Sequence, residues 1–270
     1  MHLKRWLTAL VLIPVILLIL LKGGRVLFAT ALLLINGMAL WEFLGMLQPA
    51  MDRGRKLLVI FLGSLMLTSF CLPTSQGRLF IIFFLVMGLF ILFLFYLTCY
   101  EHIAELAWDL ALSALGLLYL PLLLGHFLWL RLMSQGEWWI LWLLLVICSG
   151  DTLAFYVGKF WGEKKFYPRV SPGKTWAGTL GGLAANLGVG LLAGRWLLPG
   201  MKLYSLAALA LSLGFVGLLG DLFESMLKRQ ARVKDSSSLL PGHGGILDRL
   251  DSLLFTAPAL LYSRLFILNL

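Results

Sequence analysis

LFIIFFLVMGLFILFLFYLTC, residues 79–99, runs for 21 positions without a charged side chain. A hydrocarbon layer about 30 Å thick needs about 20 apolar residues of helix to cross it, so this stretch reads as a membrane span. Runs of the same kind recur on both sides of it. They give approximate spans at 6–21, 26–47, 57–72, 79–99, 107–132, 138–158, 175–198, 203–227 and 250–268. Of the 270 residues 60% are hydrophobic and 13% charged, against about 45–50% and about 25% in soluble domains. The pattern predicts an all-α fold, a polytopic integral membrane helical bundle with about nine transmembrane helices.

The net charge of +9 comes from 22 Lys and Arg against 13 Asp and Glu. The cations are scattered between spans rather than gathered in one stripe, which argues against nucleic acid as a partner. If every span crosses, the loops on the N-terminal side hold 15 of the basic residues and the other loops hold 7. The positive-inside rule then makes the first side cytoplasmic. Ten of the 15 lie in two loops, 159–174 and 228–249, where they serve either orientation or the binding of polyanions. Cys71, Cys99 and Cys148 each sit in an apolar run, with no spacing that suggests a disulfide framework or a zinc site. Lys4 and Arg5 before an apolar stretch imitate a signal peptide. Lys22 to Arg25 offer no small-residue cleavage site, so a retained first helix is expected.

The chain divides by polarity. Residues 1–140 are N-terminal hydrophobic transmembrane helices, and residues 141–270 are a C-terminal transmembrane catalytic region with cytoplasmic loops. The most informative stretch is SMLKRQARVKDSSSLLPGHGGILDRLD, residues 225–251. Asp221, Glu224, Ser225 and Lys228 share one helix face by their spacing, as do Asp248 and Asp251. Asp221, Asp248 and Asp251, brought together from two helix ends, would offer oxygen ligands of the kind Mg²⁺ prefers. Lys228, Arg229 and Lys234 can neutralise phosphate, and Gly244 and Gly245 allow a close backbone approach. Carboxylates, cations and a glycine-rich turn are the equipment of phosphoryl or nucleotidyl transfer. An ordinary charged loop is the competing reading.

The stretch resembles the signature of the phosphatidate cytidylyltransferase (CDP-diacylglycerol synthase) family: Ser225, Lys228-Arg229, Lys234-Asp235, Pro241-x-His243-Gly244-Gly245, Asp248-Arg249 and Asp251. Two further segments are similar to that family, Ser149-Gly150-Asp151-Thr152 and Ser171-Pro172-Gly173-Lys174-Thr175-Trp176-Ala177-Gly178. Gly173 and Ala177 are neutral where the family often carries charge. The resemblance implies that CTP and phosphatidate are converted to CDP-diacylglycerol and pyrophosphate. It further implies Mg²⁺, a second cation such as K⁺, a homodimer, and a multi-pass place in the inner membrane with the active site facing the cytoplasm. By this likeness Asp221, Asp248 and Asp251, with Asp151 as a further candidate, bind metal. Lys174, Lys228, Arg229, Lys234, Ser171, Ser225, His243, Gly244, Gly245 and Arg249 serve substrate and its phosphates.

Several of these residues have plainer readings. Asp248 and Asp251 suit a helix N-terminus, Arg249 an anchor or a salt bridge, and Ser225 close helix packing. His243 suits a loop hydrogen bond. Glu42, beside Trp41 in the second span, reads as a structural residue that pairs or snorkels, and His126 as a packed one. The rival functions are a CTP-dependent polyisoprenol or phytol kinase and, from another class, an ion-coupled transporter. The Asp-Gly-x-x-Ala-Arg pattern of CDP-alcohol phosphotransferases is absent.

Overall fold

Apolar runs become helices because hydrocarbon offers no partner to a backbone N–H or C=O, so each must be bonded within the segment. The computed structural model describes residues 2–72, 74–103, 105–239 and 244–268. Among them are nine α-helices: α1 (His2–Leu21), α2 (Gly24–Leu47), α3 (Arg53–Thr68), α4 (Thr74–Thr98), α5 (Leu106–Leu132), α6 (Gly136–Trp161), α7 (Trp176–Leu197), α8 (Leu203–Gln230) and α9 (Leu247–Tyr262). Each expected span has its helix. Eight helical stretches of the described residues are long and apolar enough to cross a membrane, and Leu12–Leu21 within α1 is shorter. In α4, Phe80, Phe83, Phe90 and Leu97 point outward, as lipid-facing side chains do.

The helices gather into two compact units, Met1–Trp129 with Ala231–Asp248, and Leu130–Gln230 with Arg249–Leu270. The polarity of the sequence places a boundary near residue 140. The contacts instead group residues 231–248 with the N-terminal helices, because Glu42 of α2 binds that loop directly, as described below.

In the first unit Leu40, Phe43, Leu44, Leu67, Phe70, Leu120 and Leu124 are buried completely. The Phe70 ring lies so close over Gly125 that a Cβ there would overlap it. Its polar end is built around Arg55, whose guanidinium pairs with Asp52 and, at 3.2 Å, with Asp109. Asp52 caps α3 by accepting the Arg55 N–H, and this bond, with the Arg55 guanidinium, holds its carboxyl below the usual carboxylate range. Asp109 stands in the first turn of α5, where an acid complements the helix dipole.

In the second unit, small residues let α6 and α7 approach closely, as in many membrane helix pairs. A Cβ on Gly178 would come 2.6 Å from the Ala154 carbonyl oxygen, and one on Gly182 would come 3.0 Å from that of Gly150. Trp142 Nε1 donates to the Gly190 carbonyl at 2.9 Å, fixing the same interface near its other end. Between these helices the segment expected as a plain loop forms an antiparallel hairpin, β1 (Lys165–Tyr167) with β2 (Ser171–Thr175), in which Lys165 pairs with Thr175 and Tyr167 with Ser171. Thr175 then caps α7, its hydroxyl accepting the Gly178 N–H at 3.1 Å. Helix α8 runs on to Gln230, so Lys228 and Arg229 belong to its last turn and not to a loop.

Candidate active site

The hairpin, α8 and α9 bring the acidic and basic residues of the second unit together. Lys174, on β2 one residue before the α7 cap, reaches Asp221 Oδ2 at 2.7 Å. Ser225, one helical turn along α8, donates to Asp221 Oδ1 at 3.2 Å. Asp221 thus has a cation on one oxygen and a hydroxyl on the other. Next to it in sequence, Gly220 packs against the backbone of α9, and a Cβ there would overlap the Asp251 carbonyl oxygen. That close crossing brings Asp251 within electrostatic reach of Asp221, Lys174 and Lys228. Asp151 of α6 interacts in turn with Asp251, Asp221, Lys174 and Arg249. Three carboxylates from three helices therefore share one region with basic side chains from the hairpin and from α9.

Other residues expected here also bond to the surrounding chain. Lys228 Nζ lies 3.2 Å from Glu224 Oε1, and that glutamate is fully buried. Arg229 Nε donates to the Val170 carbonyl at 3.1 Å, tying the end of α8 to the hairpin turn. Ser171 begins β2 opposite Tyr167.

The remaining signature residues belong to the first unit, with Lys234 exposed in their loop. Asp248 Oδ2 accepts the backbone N–H of Gly245 at 2.7 Å and that of Ser236 at 2.9 Å. Asp248 thus reaches back over the start of α9 and binds the chain that enters the helix. Glu42, from α2, receives the N–H groups of Ile246 (3.0 Å) and Leu247 (2.9 Å) and the Ser237 hydroxyl (2.6 Å). The Ser236 hydroxyl lies 2.9 Å from Asp248 Oδ2 and 3.1 Å from Glu42 Oε2, and its single proton serves one carboxylate at a time.

The two glycines fit around these acids. Gly244 has φ +79, in the left-handed region, which glycine enters without steric cost. A Cβ on Gly245 would overlap both Ser236 Oγ and Glu42 Oε2. Close approach is therefore required here, and the groups approached are carboxylates of the chain itself. A cavity of about 370 Å³ opens beside Trp41, Glu42, Gly45, Ser236 and Ser237. His243 lies outside the described residues.

The cytidylyltransferase family model matches residues 3–267. The chain belongs to the cytidylyltransferase family. Among individual relatives it is 36% identical over 263 residues to the phosphatidate cytidylyltransferase of Pseudomonas aeruginosa, covering 94% of each chain. It is 39% identical over 143 residues to the phosphatidate cytidylyltransferase of Haemophilus influenzae, covering 50% of this chain and 48% of that one. Over 144 residues it is 42% identical to the uncharacterized protein YnbB of Escherichia coli, covering 52% and 48%. The aligned stretch thus spans about half the length of the last two relatives.

Within this cytidylyltransferase, Glu42 is paired, one of the two readings its sequence position allows, and its partners in the signature loop are what the sequence does not reveal. A lone glutamate in an apolar run reads equally as a snorkelling or a paired side chain. The available signal was its cost: an acid inside a span needs partners, and the Ser236-Ser237 and Gly244-Gly245 segments hold donors in need of an acceptor.

Proposed function

We propose that the chain is a phosphatidate cytidylyltransferase that works at the cytoplasmic face of a membrane. It transfers the cytidylyl group of CTP to phosphatidate, forming CDP-diacylglycerol and pyrophosphate. The observation that carries this reading is the 2.7 Å pair of Lys174 with Asp221, in a chain matched by the family model over residues 3–267. That pair joins the segment around Ser171–Thr175 to the signature that begins at Ser225, the two most polar parts of an otherwise apolar sequence.

The reaction sets the demands. A phosphate oxygen of phosphatidate attacks the α-phosphorus of CTP, a P–O bond to that phosphorus forms, and the bond to the departing pyrophosphate breaks. The attacking oxygen is already anionic, so no proton has to be removed. The barrier lies in bringing two polyanions together and in stabilising the charge that leaves, which fixed cations address directly. Lys174 is held by Asp221 with its ammonium facing the carboxylates, Arg249 adds a second cation near Asp151, and Ser225 fixes the rotamer of Asp221. Lys234 is exposed in the signature loop.

The donor set fits Mg²⁺. Asp221, Asp251 and Asp151 supply only oxygen, the ligand a hard divalent cation takes. Among the described residues no three His, Cys, Asp or Glu side chains are placed to hold one ion by themselves. Mg²⁺ is commonly held by one or two carboxylates with substrate phosphates and water completing the shell, and Asp221 and Asp251 are the residues that would hold it. Bound there with substrate, the ion would neutralise phosphate charge in the transition state. A second cation such as K⁺, and assembly as a homodimer, belong to the same proposal through the family resemblance. Mass spectrometry of the lipid formed from phosphatidate and CTP tests it. CDP-diacylglycerol with an equal amount of pyrophosphate supports the reading, and release of CDP rules it out in favour of a kinase.

A further inference from the structure

We propose that Arg264 and the first turn of α6 form a second anion site, which takes a phosphate group, at the opposite end of α7 from Lys174. Arg264 is only 1% exposed, and its Nε and Nη1 have no hydrogen-bond partner. Its Nη2 donates to the Ser134 carbonyl at 3.0 Å, and the guanidinium lies 4.5 Å from the Trp139 ring centre. A buried cation is costly unless it is paired, and a cation–π contact with one carbonyl bond satisfies only part of this one. Arg264 also lines a cavity of about 120 Å³, together with Ser134, Gln135, Trp139, Leu198 and Met201. That volume is several times what one water molecule needs.

Two features beside Arg264 point the same way. Gln135, which precedes α6, has φ 53 and makes no side-chain cap bond, an uncommon conformation for a residue other than glycine. The N–H groups of Gly136 and Trp138 bond the Met133 and Gln135 carbonyls, so what this 26-residue helix brings to the cavity is the positive end of its dipole, with no capping side chain over it. The acid in that turn, Glu137, is already paired with Arg131 Nη1 at 2.9 Å. Arg264 is turned inward by a π-helical turn, Ser263–Ile267, an irregularity frequent at functional positions. A guanidinium above a helix N-terminus is a phosphate-binding arrangement. Helix α7, 22 residues long, separates this cavity from Lys174 by roughly 33 Å at 1.5 Å per residue. If α6 to α9 cross the bilayer, the site serves the leaflet away from the cytidylyl transfer, where the phosphate of an anionic lipid headgroup is at hand.

Hydrogen-exchange mass spectrometry of the full chain in neutral detergent tests this. The probes are inorganic phosphate, dihexanoyl phosphatidylglycerol and, as an uncharged control, dihexanoylglycerol. Exchange at residues 133–139 and 198–202 should slow by roughly threefold or more with phosphatidylglycerol, the size of effect a ligand near saturation produces. Equal slowing with inorganic phosphate would show that free phosphate suffices, and slowing with the lipid alone would show that the site reads a headgroup. Arg264→Gln, in a preparation that keeps cytidylyl transfer, should lose the effect. The proposal is overturned if neither phosphate probe protects these segments, if the uncharged lipid protects them equally, or if Arg264→Gln keeps the protection. Should that variant fail to fold, the three probes on the unaltered chain decide.

Discussion

Leu247 donates its backbone N–H to Glu42 Oε2 at 2.9 Å, across 205 positions of sequence. With Ile246 and Ser237 on the other oxygen, this bond makes a side chain of the second helix the acceptor that shapes the signature loop. The four groups brought to Glu42 include two N–H donors from the start of α9, which carry the positive end of its dipole. Such charge-assisted bonds offset the cost of burying the carboxylate.

Glu42 should therefore matter to turnover although it comes from the hydrophobic half of the chain. Glu42→Ala leaves the Ile246 and Leu247 N–H groups without their acceptor, and each buried orphan donor costs roughly 1–3 kcal/mol. Turnover should fall by about tenfold or more, the melting temperature should drop, and exchange at residues 236–239 and 244–247 should rise. Glu42→Gln keeps the size but turns an amide N–H₂ towards donors, so it should be nearly as harmful. Full activity in Glu42→Gln would show that the carboxylate charge is dispensable.

Asp248 separates two roles by one conservative change. Its Oδ2 accepts two backbone N–H bonds and shares the Ser236 hydroxyl with Glu42, and asparagine offers a single neutral oxygen in its place. Asp248→Asn should lower turnover by on the order of 10²-fold if the charge also serves metal or phosphate. It should elute as a monodisperse protein in either case, because asparagine has the same shape and its amide oxygen can still accept a backbone N–H. Retention of more than about a third of the turnover would leave Asp248 as a cap alone.

The acidic trio predicts a divalent requirement. Chelation should abolish turnover and Mg²⁺ should restore it, while Zn²⁺, which prefers nitrogen and sulfur ligands, should substitute poorly. Asp221→Asn should raise the Mg²⁺ concentration needed for half-maximal rate. An unchanged Mg²⁺ response in that variant would remove Asp221 from the metal site.

Topology can be read from one exposed serine of the signature loop. Ser237 is engaged with Glu42, so Ser238, which is exposed, is the better reporter. In a background where Cys71, Cys99 and Cys148 are serine, Ser238→Cys in intact cells should resist an impermeant thiol reagent and react after permeabilisation. Reaction in intact cells would place the loop outside.

The helices were legible because an uncharged run of about 20 residues has few alternatives in a membrane. The hairpin at Lys165–Thr175 was not, since two short polar strands leave no alternating apolar pattern to read. Asp248 and Asp251, three positions apart, look alike in sequence and were expected to act together. The fold uses Asp248 to hold Ser236 and Gly245, and brings Asp251 to Asp221 through the close crossing at Gly220. That Lys228 meets Glu224, and Arg229 the Val170 carbonyl, emerges only in three dimensions.

The most direct test of the central claim follows two labels in CTP. Purified protein is given phosphatidate, Mg²⁺ and CTP labelled at either the α- or the γ-phosphorus. Cytidylyl transfer predicts that the α-label enters the lipid fraction and the γ-label leaves entirely as pyrophosphate. A γ-label recovered in lipid, or no label in lipid from either position, would contradict it.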